Sequence, residues 1–243
     1  MSLKRILFTG PSGRIGTHAV PLLREKYEVT TFDLKVDPDD ALAFEGDLQS
    51  IEALQAAMQG CVAVVHMAAT SDDAPFFEQI LPNNIIGLYN VLEAARRAGV
   101  KRVIFASSVQ AIGSALKWRA ESAPPFSTDL MPLPGNAYGA SKVWGEAMGR
   151  TYFDRHQQEF VAIRIGAFQP YDSDWLKKGH GKNIWLSPRD MFQLIWRAIE
   201  TPAVGFAIVH GTSRVPNERM SLSEARELLG YEPEDNADDY FAK

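Results

Sequence analysis

Cysteine is almost absent from the sequence, because Cys61 is the only one among 243 residues. A lone cysteine excludes an internal disulfide and, without a second thiolate, a zinc cluster of the usual spacing. The histidines His18, His66, His156 and His210 have no spacing that suggests a metal site, so no metal is predicted. We expect Cys61 to be a small buried hydrophobic residue.

Long apolar runs are also missing. No stretch approaches the roughly 18 residues of a membrane-spanning helix, and MSLKRILFTG leads into a strand pattern without a signal peptide. Basic residues are not in excess, since 25 Lys and Arg stand against 30 Asp and Glu, a net charge of -5. Binding to a phosphate backbone needs clustered cations. We therefore expect a cytoplasmic protein whose partner is a small molecule, with no nucleic acid and no membrane.

The sequence does contain short β-branched runs that alternate with longer segments of helical period, which is typical of βαβ units. This pattern predicts an α/β fold, a Rossmann-type doubly wound parallel sheet with a small C-terminal substrate-binding appendage. Within one domain of residues 1–243, we expect a dinucleotide-binding core at 1–168 and a small substrate-side lobe over most of 169–243. Strands are predicted at 5–9, 27–33, 41–47, 62–68, 101–108 and 159–168. Helices are predicted at 14–26, 50–60, 76–99 with a kink or start at Pro82, from Tyr138 onward, and at 187–202.

The first chemical signal is TGPSGRIG, residues 9–16, between the first strand and the first helix. Its glycines are Gly10, Gly13 and Gly16. Glycines at such a turn let the backbone approach a pyrophosphate, and the N-terminus of the following helix attracts the anion. The segment therefore predicts a dinucleotide site.

The choice of dinucleotide depends on Asp33, about twenty residues on, at the end of the second strand. A carboxylate there accepts hydrogen bonds from the adenosine ribose and repels a 2′-phosphate, so the sequence predicts NAD. Arg14 in the glycine loop and Lys35 after Asp33 leave NADP open, because either cation can bind a phosphate.

Tyr138 and Lys142, in NAYGASK, are four residues apart and share a helix face. A free phenol has a pKa near 10, and a unit charge about 4 Å away attracts its ionised form by on the order of 4 kcal/mol at an effective dielectric near 20. Lys142, together with a positive nicotinamide ring, is therefore expected to lower the pKa of Tyr138 for proton transfer. Ser107 and Ser108 end a strand nearby, and both are candidates for holding the substrate oxygen.

The motifs TGPSGRIG, GDL, HMAAT, NNIIGLYN, FASSVQAIG, YGASK and LGYEPEDN resemble those of the extended short-chain dehydrogenase/reductases, the NAD-dependent epimerase/dehydratase family. The resemblance implies that Ser108, Tyr138 and Lys142 are catalytic. It implies NAD contacts from Gly10, Gly13, Arg14, Ile15, Gly16, Asp33, Asp47, Leu48, Ala68, Ala69, Tyr138 and Lys142. It also places Asn84 in the active-site scaffold. From the residues alone, Asp47 could instead cap the following helix and Asn84 could begin one.

Members of the family that act on nucleotide-linked sugars usually carry a large C-terminal lobe, whereas only about seventy residues follow Phe168 here. The resemblance therefore implies a substrate without a nucleotide diphosphate. Within the family, the chain is most similar to the uronate dehydrogenases, a group of short members, across PFFEQILPNNIIGLYNVLEAARRAG, YGASKVWGEAMGRTYF and VAIRIGAF. The resemblance implies that Tyr138 takes the proton of the anomeric hydroxyl of a cyclic sugar acid while C1 gives hydride to NAD, which forms a lactone. It implies substrate contacts from Ser71, Asn84, Ser108, Val109, Gln110 and Ala167.

Three substrate positions depart from that group. The uronate dehydrogenases have Asn-His where Val109 and Gln110 stand, and serine where Ala167 stands. Because hydrogen-bonding groups select the sugar, a different sugar or sugar acid remains an alternative substrate. The segment 172–187 offers cations for a substrate anion, with a solvated basic loop as the alternative. These cations are Lys177, Lys178, His180 and Lys182.

Two further functions stay open. An epimerase or dehydratase would keep its NAD through a full cycle, and a non-catalytic dinucleotide sensor would bind without turnover, although such sensors usually lose the Tyr–Lys pair.

The family resemblance implies a homodimer or higher homo-oligomer formed through helices at 84–98 and 138–153. Arg164, inside a predicted strand, is expected to pair with a nearby acid.

Overall fold

The computed structural model describes residues 3–118, 120, 123–177 and 181–241. Seven parallel strands form its central sheet: β1 (Arg5–Thr9), β2 (Glu28–Asp33), β3 (Ala43–Glu45), β4 (Cys61–His66), β5 (Arg102–Ser108), β6 (Glu159–Ile165) and β9 (Phe206–Gly211). Their spatial order is β3-β2-β1-β4-β5-β6-β9. A second parallel pair joins β7 (Ala167–Phe168) to β8 (Trp185–Leu186).

Helices cover both faces of the sheet. The α-helices of the described residues are α1 (Gly16–Arg24), α2 (Ile51–Ala57), α3 (Gly87–Arg97), α4 (Gly113–Trp118), α5 (Ala137–His156), α6 (Asp174–Lys177), α7 (Pro188–Glu200), α8 (Ser223–Leu229) and α9 (Ala237–Tyr240). Apolar side chains of α1, α7 and α8 pack on one face, and those of α2, α3 and α5 on the other. Strands buried on both faces read as continuous apolar runs. The predicted Rossmann-type doubly wound sheet is confirmed.

The strand order reverses between β1 and β4, because β1 leads through α1 to β2 on one side of the sheet while β4 and β5 lie on the other. In open α/β sheets this switch point opens a crevice at the carboxyl ends of the strands. The glycine loop after β1 and the segments after β4 and β5 therefore meet at one edge.

Some element boundaries differ from the predicted ones. The predicted strand 159–168 is broken at Gly166, after which β7 leaves the sheet to pair with β8. The predicted long helix begins as a π-helix over Phe76–Ile86, with Pro82 inside it, and continues as α3. Proline lacks the donor that a regular helical turn requires, so the wider turn fits it.

The chain after Phe168 contributes to the central sheet and to the helical layer that covers it. β9 pairs with β6 in the central sheet, and α7 packs against α1. Asp190 at the start of α7 accepts hydrogen bonds from the backbone N–H groups of Glu234 at 2.7 Å and Asp235 at 3.2 Å, which fixes the last stretch of chain. The division at residue 168 stays a prediction.

Cys61 is 8% exposed, as expected for a small buried residue. Within the described ranges, no helix is long and apolar enough to cross a membrane. Among the same residues, no three His, Cys, Asp or Glu side chains are grouped so that they could hold a metal ion.

Candidate active site

The glycine loop is fixed by close backbone contacts. Gly10 has φ +76°, and a Cβ there would lie 2.9 Å from the backbone nitrogen of Ala68. A Cβ on Gly16 would lie 2.5 Å from the carbonyl oxygens of Gly10 and Pro11. Only glycine allows both approaches. The loop therefore lies against the end of β4, and α1 begins directly behind it.

A cleft of about 210 Å³ opens beside this loop. Seven of the predicted cofactor residues line it: Gly10, Gly13, Asp33, Asp47, Leu48, Ala68 and Ala69. Sequence reasoning missed the other lining residues, which are mostly neighbours of predicted ones: Ser12, Phe32, Leu34, Gly46, Met67, Thr70 and Asn83. Five predicted cofactor residues lie outside the lining. Arg14 is exposed, Ile15 packs toward the core and Gly16 is buried. The other two are Tyr138 and Lys142 on α5.

Asp33 is held in place at the mouth of the cleft. Its Oδ2 accepts hydrogen bonds from Ser12 Oγ at 2.6 Å and Ser12 N at 3.2 Å, and its Oδ1 accepts one from Leu34 N at 2.8 Å. Oδ1 retains acceptor capacity for a ribose hydroxyl, whereas both lone pairs of Oδ2 are used by Ser12. Asp33, the glycine loop and the helix N-terminus behind it fit the ribose and pyrophosphate of NAD.

Asp47 does not cap the following helix, which corrects the structural alternative. Ser50 is the N-cap of α2, because its Oγ accepts the N–H of Ala53 at 3.2 Å. Asp47 Oδ1 instead accepts the N–H of Gln49 at 2.9 Å in a turn, beside the cleft. Its carboxylate therefore remains at the cofactor side.

Tyr138 and Lys142 come together at the start of α5. Asn136 caps this helix by accepting the N–H of Gly139 at 2.8 Å. Lys142 is 2% exposed, and its Nζ lies 5.4 Å from the centroid of the Tyr138 ring and 4.9 Å from that of Phe105. Burial lowers the pKa of Lys142 to about 7, because the charged ammonium loses its hydration.

The pKa of Tyr138 is raised, opposite to the direction that the sequence predicts. Burial is the largest cause, a hydrogen bond with Ser108 opposes it, and the negative charge of Asp72 adds to it. The predicted lowering included the charge of a nicotinamide ring. For the protein groups alone, desolvation of the phenolate exceeds their stabilising effect.

The structure separates the two candidate serines. Ser108 contacts the Tyr138 hydroxyl, and its Oγ also accepts the N–H of Gln110 at 3.1 Å. Ser107 points the other way and donates to Glu146 Oε1 at 2.6 Å. Adjacent residues of a strand face opposite sides, so only one of the two serines can face Tyr138.

Asn84 links the loop after β4 to α5, the helix that carries Tyr138 and Lys142. Its Oδ1 accepts the N–H of Thr70 at 2.8 Å, and its Nδ2 donates to Thr70 O at 3.0 Å and Ser141 Oγ at 3.1 Å. Ser141 Oγ in turn donates to the carbonyl of Tyr138 at 2.7 Å. Both amide hydrogens of Asn84 are used inside the protein. This geometry favours the scaffold role over a direct substrate contact.

The four remaining predicted substrate residues divide into two pairs. Ser71 is exposed and Ala167 half-buried, both beyond the carboxyl ends of the strands. Val109 is 7% exposed and packs with Ile112, and Gln110 Oε1 lies against Gly113. Val109 and Gln110 therefore contact the protein interior and a neighbouring loop.

The basic segment gives one described side chain. Lys182 Nζ forms an ion pair with Asp238 Oδ1 at 2.5 Å, so its charge is partly compensated. Lys178, His180 and the side chain of Lys177 lie outside the described residues. The expected acid for Arg164 is Glu146, in a buried pair.

Sequence reasoning missed two acids in this region, Asp72 and Glu146. Asp72 has φ +65° and acts electrostatically on Tyr138. Glu146 follows Lys142 by four residues on the same helix face, and this spacing was the signal that could have identified it.

Comparison with known proteins now gives the family. The model of a family described as "NAD dependent epimerase/dehydratase family" matches residues 6–169 of this chain. The chain belongs to this family. Its cofactor is NAD, and the cleft beside Asp33 is the site that this cofactor fits.

Three relatives illustrate the similarity. A uronate dehydrogenase of Agrobacterium fabrum is 35% identical over 97% of this chain and 86% of its own. An NAD-dependent glucose-6-phosphate dehydrogenase of Haloferax volcanii is 30% identical over 97% and 95%. A solved structure of a mutant uronate dehydrogenase from Agrobacterium tumefaciens complexed with NAD is 33% identical, with a TM-score of 0.85 over 98% of this chain and 88% of that one.

Proposed function

We propose that this protein is an NAD-dependent dehydrogenase that oxidises a uronate-like sugar acid at its anomeric carbon to a lactone. The observation that carries the proposal is the contact of Tyr138 with Ser108 beside the buried Lys142, next to the cleft that fits NAD. The similarity to uronate dehydrogenases over nearly the whole chain supports the substrate class.

The chain's own groups divide the work at the reacting hydroxyl. Ser108 holds the hydroxyl oxygen, and the oxygen of Tyr138 accepts its proton as general base. Lys142 stabilises the negative charge on Tyr138. The cleft beside Asp33 would hold NAD, which would supply the hydride acceptor for the substrate carbon. The carboxyl end of β5 and the first turn of α5 fix the serine and the tyrosine relative to each other.

A neutral aldose or a sugar phosphate is the second candidate substrate. A neutral aldose is favoured by the apolar packing of Val109, by the ion pair of Lys182 with Asp238, and by the negative charge of Asp72 near Tyr138, because these features do not attract a substrate anion. A site with fewer hydrogen-bonding groups selects its sugar differently. The sugar phosphate is supported by the similarity to the glucose-6-phosphate dehydrogenase.

The test is NADH formation by the purified protein with NAD or NADP and galacturonate, glucuronate, neutral aldoses or glucose 6-phosphate. Turnover of a uronate with NAD supports the proposal. Turnover of neutral or phosphorylated sugars alone would move the substrate to the second candidate. No net NADH, with NAD retained through purification, would indicate an epimerase or dehydratase, and binding without any turnover would indicate a sensor.

A homodimer is part of the proposal. Ile86 and Tyr89 are 41% and 44% exposed within the segment 84–98, through which the family resemblance implies dimerisation, and Phe77, in the π-helix that precedes this segment, is 76% exposed. Light scattering is expected to give twice the chain mass, and a monomer would contradict this assembly. A cytoplasmic location is also proposed, because a dehydrogenase that releases NADH depends on the cell's dinucleotide pool.

A further inference from the structure

Three ionisable residues lie on one face of α5. Tyr138, Lys142 and Glu146 are spaced by four residues on α5, so they lie on the same side. Lys142 is 2% and Glu146 3% exposed. Buried Lys and Glu side chains at this spacing are within reach of one another, and a buried carboxylate requires a partner.

That partner is not Lys142. Arg164 on β6 makes a bidentate contact with Glu146, with Nε to Oε1 and Nη2 to Oε2 both at 2.8 Å. Ser107, which is paired with Arg164 in the strand register, donates to Oε1 at 2.6 Å. The guanidinium matches both carboxylate oxygens at once, which an ammonium cannot do.

Lys142 Nζ instead lies over the rings of Phe105 and Tyr138, at 4.9 and 5.4 Å from their centroids. We propose that Arg164 is a positioning residue, which holds the Glu146 carboxylate away from Lys142 so that the ammonium stays beside Tyr138. This inference rests on the proposed function, because it assigns Lys142 the role of supporting the phenolate.

The charges around Lys142 support this reading. His66 on β4 is buried, and burial with the charge of Lys142 lowers its pKa to about 3, so it is neutral. Asp72 in the loop after β4 acts on Tyr138. Glu146 on the helix is balanced by Arg164 on β6. Removal of Arg164 would leave a buried carboxylate one turn from the ammonium, and the two would attract each other.

His210 lies beside Arg164 in the register of β9 and is the other group that Glu146 could engage. Burial, the largest cause, and the charge of Arg164 lower its pKa to about 4, and the burial remains when Arg164 is replaced, so His210 gains a proton less readily than Lys142 does. A neutral imidazole stabilises a buried carboxylate less than an ammonium does. Lys142 is therefore the expected new partner of Glu146.

The test compares Arg164→Met, Glu146→Gln and the double variant. Arg164→Met is expected to lower kcat at least tenfold, because the free carboxylate competes for Lys142. Glu146→Gln alone is expected to keep kcat within about threefold of the wild type, and the double variant is expected to recover to the same range. A double variant no better than Arg164→Met, or a Glu146→Gln loss as large as that of Arg164→Met, would overturn the proposal.

A matched control lies at the opposite end of the same two strands. Arg102 on β5 pairs with Glu159 on β6 and donates to the carbonyls of Ala198 at 2.9 Å and Ile199 at 2.6 Å. Arg102→Met removes a comparably buried guanidinium far from Tyr138. It is expected to lower Tm while keeping kcat, and an equal loss of kcat in this variant would reduce the Arg164 effect to general destabilisation. If Arg164→Met does not fold, Arg164→Lys replaces it, with a smaller expected loss of kcat. Glu146→Gln then still tests the proposal, because its kcat is expected to stay within about threefold of the wild type.

A second readout needs no substrate. Ultraviolet absorbance reports ionisation of Tyr138 in the NAD complex, with the Tyr138→Phe variant as the blank. In Arg164→Met the midpoint is expected to rise by about one pH unit, since Lys142 no longer supports the phenolate, and to return in the double variant. An unchanged midpoint in Arg164→Met contradicts the proposal. If the wild type oxidises no sugar, the proposed function fails while this titration still tests Arg164.

Discussion

Asn84 donates a hydrogen bond to Ser141 Oγ at 3.1 Å, and this contact ties the loop after β4 to the first turn of α5. Asn84→Ala removes it together with both bonds to Thr70. We expect stability to fall by about 1–3 kcal/mol, because buried partners are left unsatisfied, and kcat to fall at least tenfold, because Tyr138 loses its tether. Denaturant unfolding and steady-state kinetics measure the two effects.

Asn83→Ala is the control for this prediction. Asn83 donates to Thr70 Oγ1 at 2.8 Å, but no contact of its side chain with Ser141 is present in the described part of the chain. Its removal is expected to reduce kcat less than Asn84→Ala does. Equal effects on kcat would show that the link from Asn84 to the catalytic helix has no special importance.

Lys142 is expected to reduce the stability of the fold. Its pKa falls from 10.5 in the unfolded chain to about 7 in the folded protein. The unfolded chain therefore binds more protons between these values, so stability rises with pH across this window and the destabilisation is largest at or below about pH 7. Lys142→Met is expected to raise Tm of the cofactor-free protein by several degrees at neutral pH, with the gain vanishing toward pH 10. Thermal unfolding across this range tests it, and a pH-independent gain would contradict the assignment.

Asp72 is expected to oppose ionisation of Tyr138. Its negative charge raises the pKa of the phenol, after the larger effect of burial. Asp72→Asn removes the charge, and asparagine tolerates the left-handed backbone at φ +65°. The acid limb of the kcat profile is expected to move to lower pH, because Tyr138 loses its proton more readily.

Asp73→Asn is the matched control, since the neighbouring acid is not among the groups that shift Tyr138. Its pH profile is expected to match that of the wild type. A shift of the same size in both variants would point to the net charge of the loop as the cause. No shift in Asp72→Asn would remove Asp72 from the site.

The preference for NAD is expected to depend on Asp33. Asp33→Asn keeps a side chain that can accept from Ser12 but removes the charge that repels a 2′-phosphate. The ratio of kcat/KM with NADP to that with NAD is expected to rise at least tenfold. Asp47→Asn, in the same cleft, is expected to change this ratio less than threefold. Equal changes in the two variants would contradict a specific role for Asp33.

The fold and much of the site could be predicted from local sequence. Alternating strands and helices, the glycine loop and the spacing of Tyr138 and Lys142 are properties of short segments, and short segments determine them. The family resemblance then supplied the role of Ser108, which the residues alone could not separate from that of Ser107.

The remaining features depend on contacts between distant segments. The raised pKa of Tyr138 comes from burial by several elements, and the pairing of Glu146 with Arg164 joins a helix to a strand. The position of Gln110 against Gly113 depends on how two segments pack. Neither the burial of a polar group such as Tyr138 nor pairing between distant elements has a periodic signature in the sequence, so these features required the structure.

The most direct test of the account compares Tyr138→Phe with the wild type on the best sugar substrate, with NAD affinity measured in parallel by fluorescence titration. Turnover is expected to fall by at least about a hundredfold, the range of general-base catalysis, while the Kd for NAD changes less than threefold. Retained turnover in the phenylalanine variant would contradict the assignment of Tyr138 as the base.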